Sequence, residues 1–175
     1  MRTDKRAKPD TASFLPADHD HKRCTASLVE RVSRVCEANN VRLTGLRRRV
    51  LEEIASSHKA VGAYDLIESI ATKGVRLAPI SVYRALEALA GVGAIHRIES
   101  RNAFFACHAD HRGDEPRVIL VCEDCLMVAE VASAATFGAI TEATERAGFA
   151  VKRRIVEVTG QCAACRGRSA TGTRP

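Results

Sequence analysis

Apolar residues recur at intervals of three and four in SLVERVSRVCEANN, where Leu28, Val32, Val35 and Cys36 share one side. This spacing predicts an amphipathic helix from about Thr25 to Asn39. A second helix is expected from Thr44, whose hydroxyl suits an N-cap, along a stripe of Leu46, Val50, Leu51 and Ile54 with a basic outer face. AYDLIESIATK predicts a third helix, entered after Gly62 and ended at Gly74. PISVYRALEALAGVG predicts a fourth, opened by Pro79, whose fixed φ fits a first helical turn, and closed at Gly91. The short GVRLA connection gives the last two the spacing of a helix-turn-helix.

After Gly93 the period changes. AIHRIES and NAFFACH are short β-rich runs separated by the polar Ser100-Arg101-Asn102, so they read as a β-hairpin. Four helices and a hairpin make a winged helix-turn-helix domain over residues 23–107. The polar HADHRGDEP, residues 108–116, reads as a linker. Beyond it, RVILVC and LMVAEV predict strands, ASAATFGAITEATERAG a helix and FAVKRRIVEVTG a last strand. The expected fold class is therefore α+β: the winged helix plus a small C-terminal α/β domain over residues 117–166. So small a module buries little surface and needs a metal, a partner subunit, or both. Residues 1–22, charged and rich in Pro, Ala and Ser types, read as a disordered extension, and residues 167–175 as a flexible tail.

Composition narrows the setting. The chain is 46% hydrophobic without a tryptophan, so aliphatic side chains must fill its cores. A net charge of +6 is compatible with a nucleic-acid partner without requiring one. No apolar run approaches the roughly 20 residues that span a bilayer, and the N-terminus has no apolar signal core. A cytoplasmic protein is expected, and there seven cysteines point away from disulfides and towards metal.

Cys122-Glu-Asp-Cys125 and Cys162-Ala-Ala-Cys165 are two C-x2-C knuckles, each at a strand end. Each lets two thiolates reach one ion from a tight turn, and together they complete the tetrahedral sulfur shell that zinc favours. Closing that shell would clip the last strand beside the first. Redox-active or buried dithiols are the alternative, better suited to a single knuckle. His96, Cys107, His108, Asp110, His111, Asp114, Glu115 and Glu130 remain. Singly, each has an ordinary structural explanation; as a set they offer mixed imidazole, thiolate and carboxylate ligation, and spacing alone leaves a second site open.

VRLTGLRRRVLE, AYDLIESI, PISVYRALEAL, GAIHRIES, ILVCEDC and GFAVKRRIVEVTGQCAAC together resemble the ferric uptake regulator family, and most closely its zinc uptake regulator branch, over residues 25–165. The resemblance implies a homodimeric, metal-activated winged-helix repressor of palindromic operator DNA that controls zinc uptake and homeostasis genes. Cys122, Cys125, Cys162 and Cys165 match the family's structural zinc site. His96, Cys107 and Glu130 match the sensory site of the zinc branch, where Cys107 favours zinc over iron because thiolate is a softer ligand. The fourth sensory ligand is often a histidine seven residues before the first knuckle cysteine, and this chain has Glu115 there. His111 is the first substitute, with His108 and Glu115 as the others. Arg153 and Arg154 stand where some relatives carry a histidine, so two zinc ions per protomer and no auxiliary third site are implied.

The fourth helix should bury Val82, Leu86 and Leu89 and leave Ser81, Tyr83, Arg84 and Glu87 nearer the groove. Arg84 is the expected base reader, since arginine can bond both O6 and N7 of guanine. Tyr83 would add apolar or phosphate contact, and Arg42 and Arg47, in a cluster with Arg48 and Arg49, would position the domain on phosphates. No H-E-x-x-H motif, nor H-x-E with P-C-x-x-C, is present, so neither an enzyme nor a small-molecule substrate is expected. The alternatives are an iron- or peroxide-responsive regulator of the same family and, in a different class, a zinc-ribbon protein-interaction module.

Overall fold

The computed structural model describes Phe14, residues 20–107 and residues 116–170, with side chains as far as Arg168. The chain divides into two compact units, residues 16–108 with 125–127, and a second built on residues 109–124 and 128–175.

The first unit runs α1 (His21–Ala38), α2 (Gly45–Ala55), β1 (Val61–Gly62), α3 (Ala63–Thr72), α4 (Pro79–Gly91), β2 (Ile95–Ile98), a 3-10 turn (Glu99–Arg101) and β3 (Ala103–Ala106). α1 begins a turn before the expected Thr25, because the Asp20 carboxylate accepts the Arg23 N–H at 3.1 Å and caps the helix there. Thr44 caps α2 as its sequence signal predicts, accepting the Arg47 N–H at 3.4 Å. Leu28 and Val32 from α1, Val50, Leu51 and Ile54 from α2, Leu66 and Ile70 from α3, and Val82, Leu86 and Leu89 from α4 form one aliphatic core with Ile95. Each such side chain contributes about 1.5–3 kcal/mol on full burial.

The wing is an antiparallel sheet in the order β1-β3-β2. The hairpin expectation holds, with Ile95 opposite Ala106 and His96 opposite Phe105. Asn102 turns it at a φ of 48°, a left-handed conformation that asparagine tolerates. The two-residue β1 has no sequence signature. It exists because Val61 and Gly62 pair with Phe104 and Ala103.

The second unit runs β4 (Arg117–Cys122), β5 (Val128–Ala132), α5 (Ala134–Arg146), β6 (Val156–Gly160) and α6 (Ala163–Ala170). β4 is central, antiparallel to β5 and parallel to β6, with Val118 opposite Val156 and Cys122 opposite Gly160. A parallel pair needs a long crossover, and α5 lies within it. The last strand is shorter than the expected run from Phe149, starting only at Val156. The Lys152-Arg153-Arg154 stretch before it is exposed and precedes the ladder to β4. α6 occupies residues expected to enter a flexible tail at 167. The buried hydrophobics of this unit are few: Val118, Val121, Val128, Ala129 and Phe137, besides cysteines. Phe149 and Val158 remain 65% and 50% exposed.

Candidate metal centres and nucleic-acid surface

The Cys122–Cys125 turn leaves the end of β4, and Cys162 and Cys165 flank the start of α6. Parallel pairing of β4 with β6, continued by the Glu123 N–H to the Gly160 carbonyl at 2.8 Å, brings the two knuckles to the same sheet end. The four Sγ atoms all lie within 4.8 Å of one another. Tetrahedral zinc with bonds of about 2.3 Å sets its sulfurs about 3.8 Å apart, so the cluster fits that ion with small adjustment. Cys162 donates its N–H to Cys122 Sγ at 3.4 Å, and the Arg168 guanidinium lies 2.9 Å from Cys165 Sγ. Both contacts favour thiolate over thiol. Leu126, directly after the knuckle, takes a φ of 62°, a strained conformation for a leucine that the turn imposes.

Of the sensory candidates, His96 and Cys107 lie in the first unit and Glu130 in the second. His96 is half-buried on β2, its ring centroid 5.4 Å from that of Phe105. Cys107 is fully buried one residue past β3, its N–H bonded to the Ala94 carbonyl at 3.1 Å. Glu130 is half-buried on β5, opposite Ile119. A soft thiolate with imidazole and carboxylate suits zinc, and three protein donors leave a fourth position. His108, His111 and Glu115, the candidates for it, lie outside the described residues. One contributor escaped the sequence reading: Arg31 of α1 donates to the Cys107 carbonyl and holds the end of β3. The two residues are far apart in the chain, and no local pattern links them.

On α4, Val82, Leu86 and Leu89 are buried as expected, and Arg84 and Glu87 are exposed. Ser81 is half-buried, and Tyr83 packs partly against the core, which limits its ring to an edge contact. Arg42 is exposed, whereas Arg47 is half-buried and donates to the Arg42 carbonyl at 2.6 Å. Arg48 pairs with Glu52 at 3.0 Å, and Arg49 is exposed. Tyr64 and Ile80 are 77% and 61% exposed, large apolar side chains on α3 and at the start of α4 that the sequence reading did not single out.

A helix-turn-helix with a β wing, followed by a small sheet with four cysteines gathered at one end, defines a winged-helix protein with a cysteine cluster able to hold a metal ion. Residues 38–159 match the ferric uptake regulator family, and the chain belongs to that family. It is similar to the zinc uptake regulation protein of Escherichia coli strain K12, at 31% identity over 144 residues, covering 82% of this chain and 84% of that protein. Among solved structures it is similar to a zinc uptake regulator complexed with zinc and DNA, at 30% identity and a TM-score of 0.78, over 83% of this chain and 97% of that one. A second, the crystal structure of holo XcZur, is 34% identical with a TM-score of 0.72, over 81% of this chain and 98% of that one.

Proposed function

We propose that this protein is a zinc-responsive transcriptional repressor, which binds palindromic operator DNA as a homodimer when its sensory site is loaded and controls zinc uptake and homeostasis genes. The observation that carries the reading is the four-cysteine cluster of a winged-helix chain similar to zinc uptake regulators, in which the wing also ends on a buried cysteine, Cys107. Cys122, Cys125, Cys162 and Cys165 hold the structural ion; His96, Cys107 and Glu130 hold the regulatory one, completed by His111, His108 or Glu115. That makes two zinc ions per protomer. Zinc supplies coordination bonds that join ligands from before and after residues 108–116. With the joint made, the chain holds the two α4 helices of a homodimer at the spacing of operator half-sites. The exposed Phe149, Val151, Ile155 and Val158 provide apolar surface for the second copy.

Arg84 reads bases, Tyr83 and Ser81 contact the groove edge, and Arg42 and Arg47 face phosphates. The metal sites serve structure and sensing, with no catalytic role and no small-molecule substrate. Among the described residues no helix is long and apolar enough to cross a membrane, and a cytoplasmic location suits a DNA-binding regulator. An iron- or peroxide-responsive role fits the buried Cys107 thiolate less well. A purely protein-binding zinc ribbon would leave α4 and Arg84 without a task.

The test is a gel shift with DNA from upstream of the protein's own gene. A Cys107→Ser variant should remain dimeric and keep its structural zinc but lose zinc-dependent binding. If it shifts DNA as the parent does at every zinc level, Cys107 is not a sensory ligand and the reading fails.

A further inference from the structure

On α4 the buried residues Val82, Ala85, Leu86 and Leu89 mark one side of the helix. At about 100° per residue, Ile80, Arg84 and Glu87 fall on the opposite side, and all three are exposed. Two of them are charged, as suits a solvated face. Ile80 is not: it is 61% exposed, and its direction from the helix leaves it no route to the core. The first turn has no local need of it either. Pro79 opens that turn, and the Ala78 carbonyl accepts the Ser81 N–H at 2.9 Å and the Val82 N–H at 3.3 Å, so the backbone closes it unaided. An isoleucine here is a weaker helix former than alanine and forgoes the burial that normally stabilises it.

We infer that Ile80 is a second base reader, which packs its branched side chain on the C5 methyl of a thymine in the major groove, beside the guanine bonded by Arg84. This rests on the operator-binding reading above and adds to it a defined apolar contact. Of the four ordinary bases only thymine presents a methyl group in the major groove, and aliphatic side chains recognise it by apolar contact. Recognition helices offer their N-terminal residues to base edges, and Ile80 is the second residue of α4. Ile80 and Arg84 are one turn apart on the same face. At a rise of 1.5 Å per residue they stand about 6 Å apart along the axis, so with base pairs about 3.4 Å apart the thymine lies about two steps from that guanine. A protein partner would need a contiguous apolar patch, whereas the neighbours of Ile80 on this face are Arg84 and Glu87. Arg76, exposed in the turn before the helix, adds a second cation beside Ile80 that suits a polyanion.

The test uses the zinc-loaded full chain and synthetic duplexes of the operator footprinted upstream of its own gene. In each duplex one symmetry-related pair of thymines is replaced by deoxyuridine, which lacks only the C5 methyl. For the parent, one such pair, about two steps from the guanine whose preference is lost in Arg84→Ala, should weaken binding about four-fold per half-site, or about 15-fold over both. Ile80→Ala should keep the Tm and dimerisation of the parent, bind the thymine duplex at least that much more weakly, and lose most of its preference for thymine over uracil at that pair. Ile80→Val should fall between the two. A uracil penalty that is equal in parent and Ile80→Ala at every position overturns the inference while leaving zinc-dependent operator binding intact. So does loss of dimerisation in Ile80→Ala, which would assign the residue to a protein interface. A zinc-loaded parent that shifts no duplex at all sinks the function reading itself, and this inference with it.

Discussion

Glu53 accepts hydrogen bonds from Ser69 and from Lys73, each at 2.5 Å, and so ties α2 to α3 and its C-cap. Burial pushes its carboxyl up, but the bonds from Lys73 and Ser69, with the Lys73 charge, outweigh that and hold it below the usual carboxylate range. A carboxyl depressed in the folded state contributes stability above its unfolded value, and loses it as pH falls through the folded one. Glu53→Gln should therefore cost about 1 kcal/mol at neutral pH, a small figure because Lys73 is largely exposed. In denaturant titrations the gap to the parent should close as the pH falls below about 4. A gap that persists there would assign the loss to packing. Arg31, bonded to the Cys107 carbonyl, acts behind a proposed ligand. Arg31→Met should weaken regulatory zinc about 10-fold while leaving the thiolate-bound ion in place, as read by competition with a chromogenic chelator. Unchanged affinity would make the contact purely structural. Arg84→Ala should cost about 1–3 kcal/mol at one guanine and relax preference there, whereas Arg42→Ala should weaken all sequences alike and lower the salt slope by about one. Binding of a set of single-base operator variants separates the two patterns.

At the scale of elements, what the sequence disclosed is what local chemistry decides. Thr44 and Pro79 announce α2 and α4 because a cap and a fixed φ act within one turn, and Gly74, at a φ of 85°, follows α3 where a left-handed residue was needed. RVILVC runs as β4 from Arg117 to Cys122, the strand expected of it. The misses are tertiary. β1 is two residues long and exists only through its pairing with β3; the strand expected from Phe149 starts at Val156, where the ladder to β4 begins. The knuckles were legible because C-x2-C is a local geometry, and the parallel register of β6 on β4 accounts for their meeting. Arg31 behind Cys107, and His58 beside Cys24, join residues that nothing in the chain order links. The clasp also predicts how the second unit fails. Cys165→Ser should release β6 and α6 first, seen as faster amide exchange across residues 156–160 with β4 and β5 less affected. Exchange that rises uniformly through the sheet, or not at all, would contradict a local clasp.

For the whole molecule, two units with unequal cores imply a division of labour. The winged helix has an extensive aliphatic core, whereas the second unit buries few hydrophobics and leaves Phe149 and Val158 on its surface. A homodimer built through the second unit and stapled by structural zinc would present two α4 helices, and loading of His96, Cys107 and Glu130 would set whether they match an operator. The direct test is the affinity of the intact chain for its operator as free zinc is buffered across a range that leaves the structural ion bound, with zinc counted at both ends. The account predicts a steep gain in affinity as one further equivalent enters at His96, Cys107 and Glu130, abolished in Cys107→Ser. Operator affinity that stays flat while that equivalent binds would contradict it.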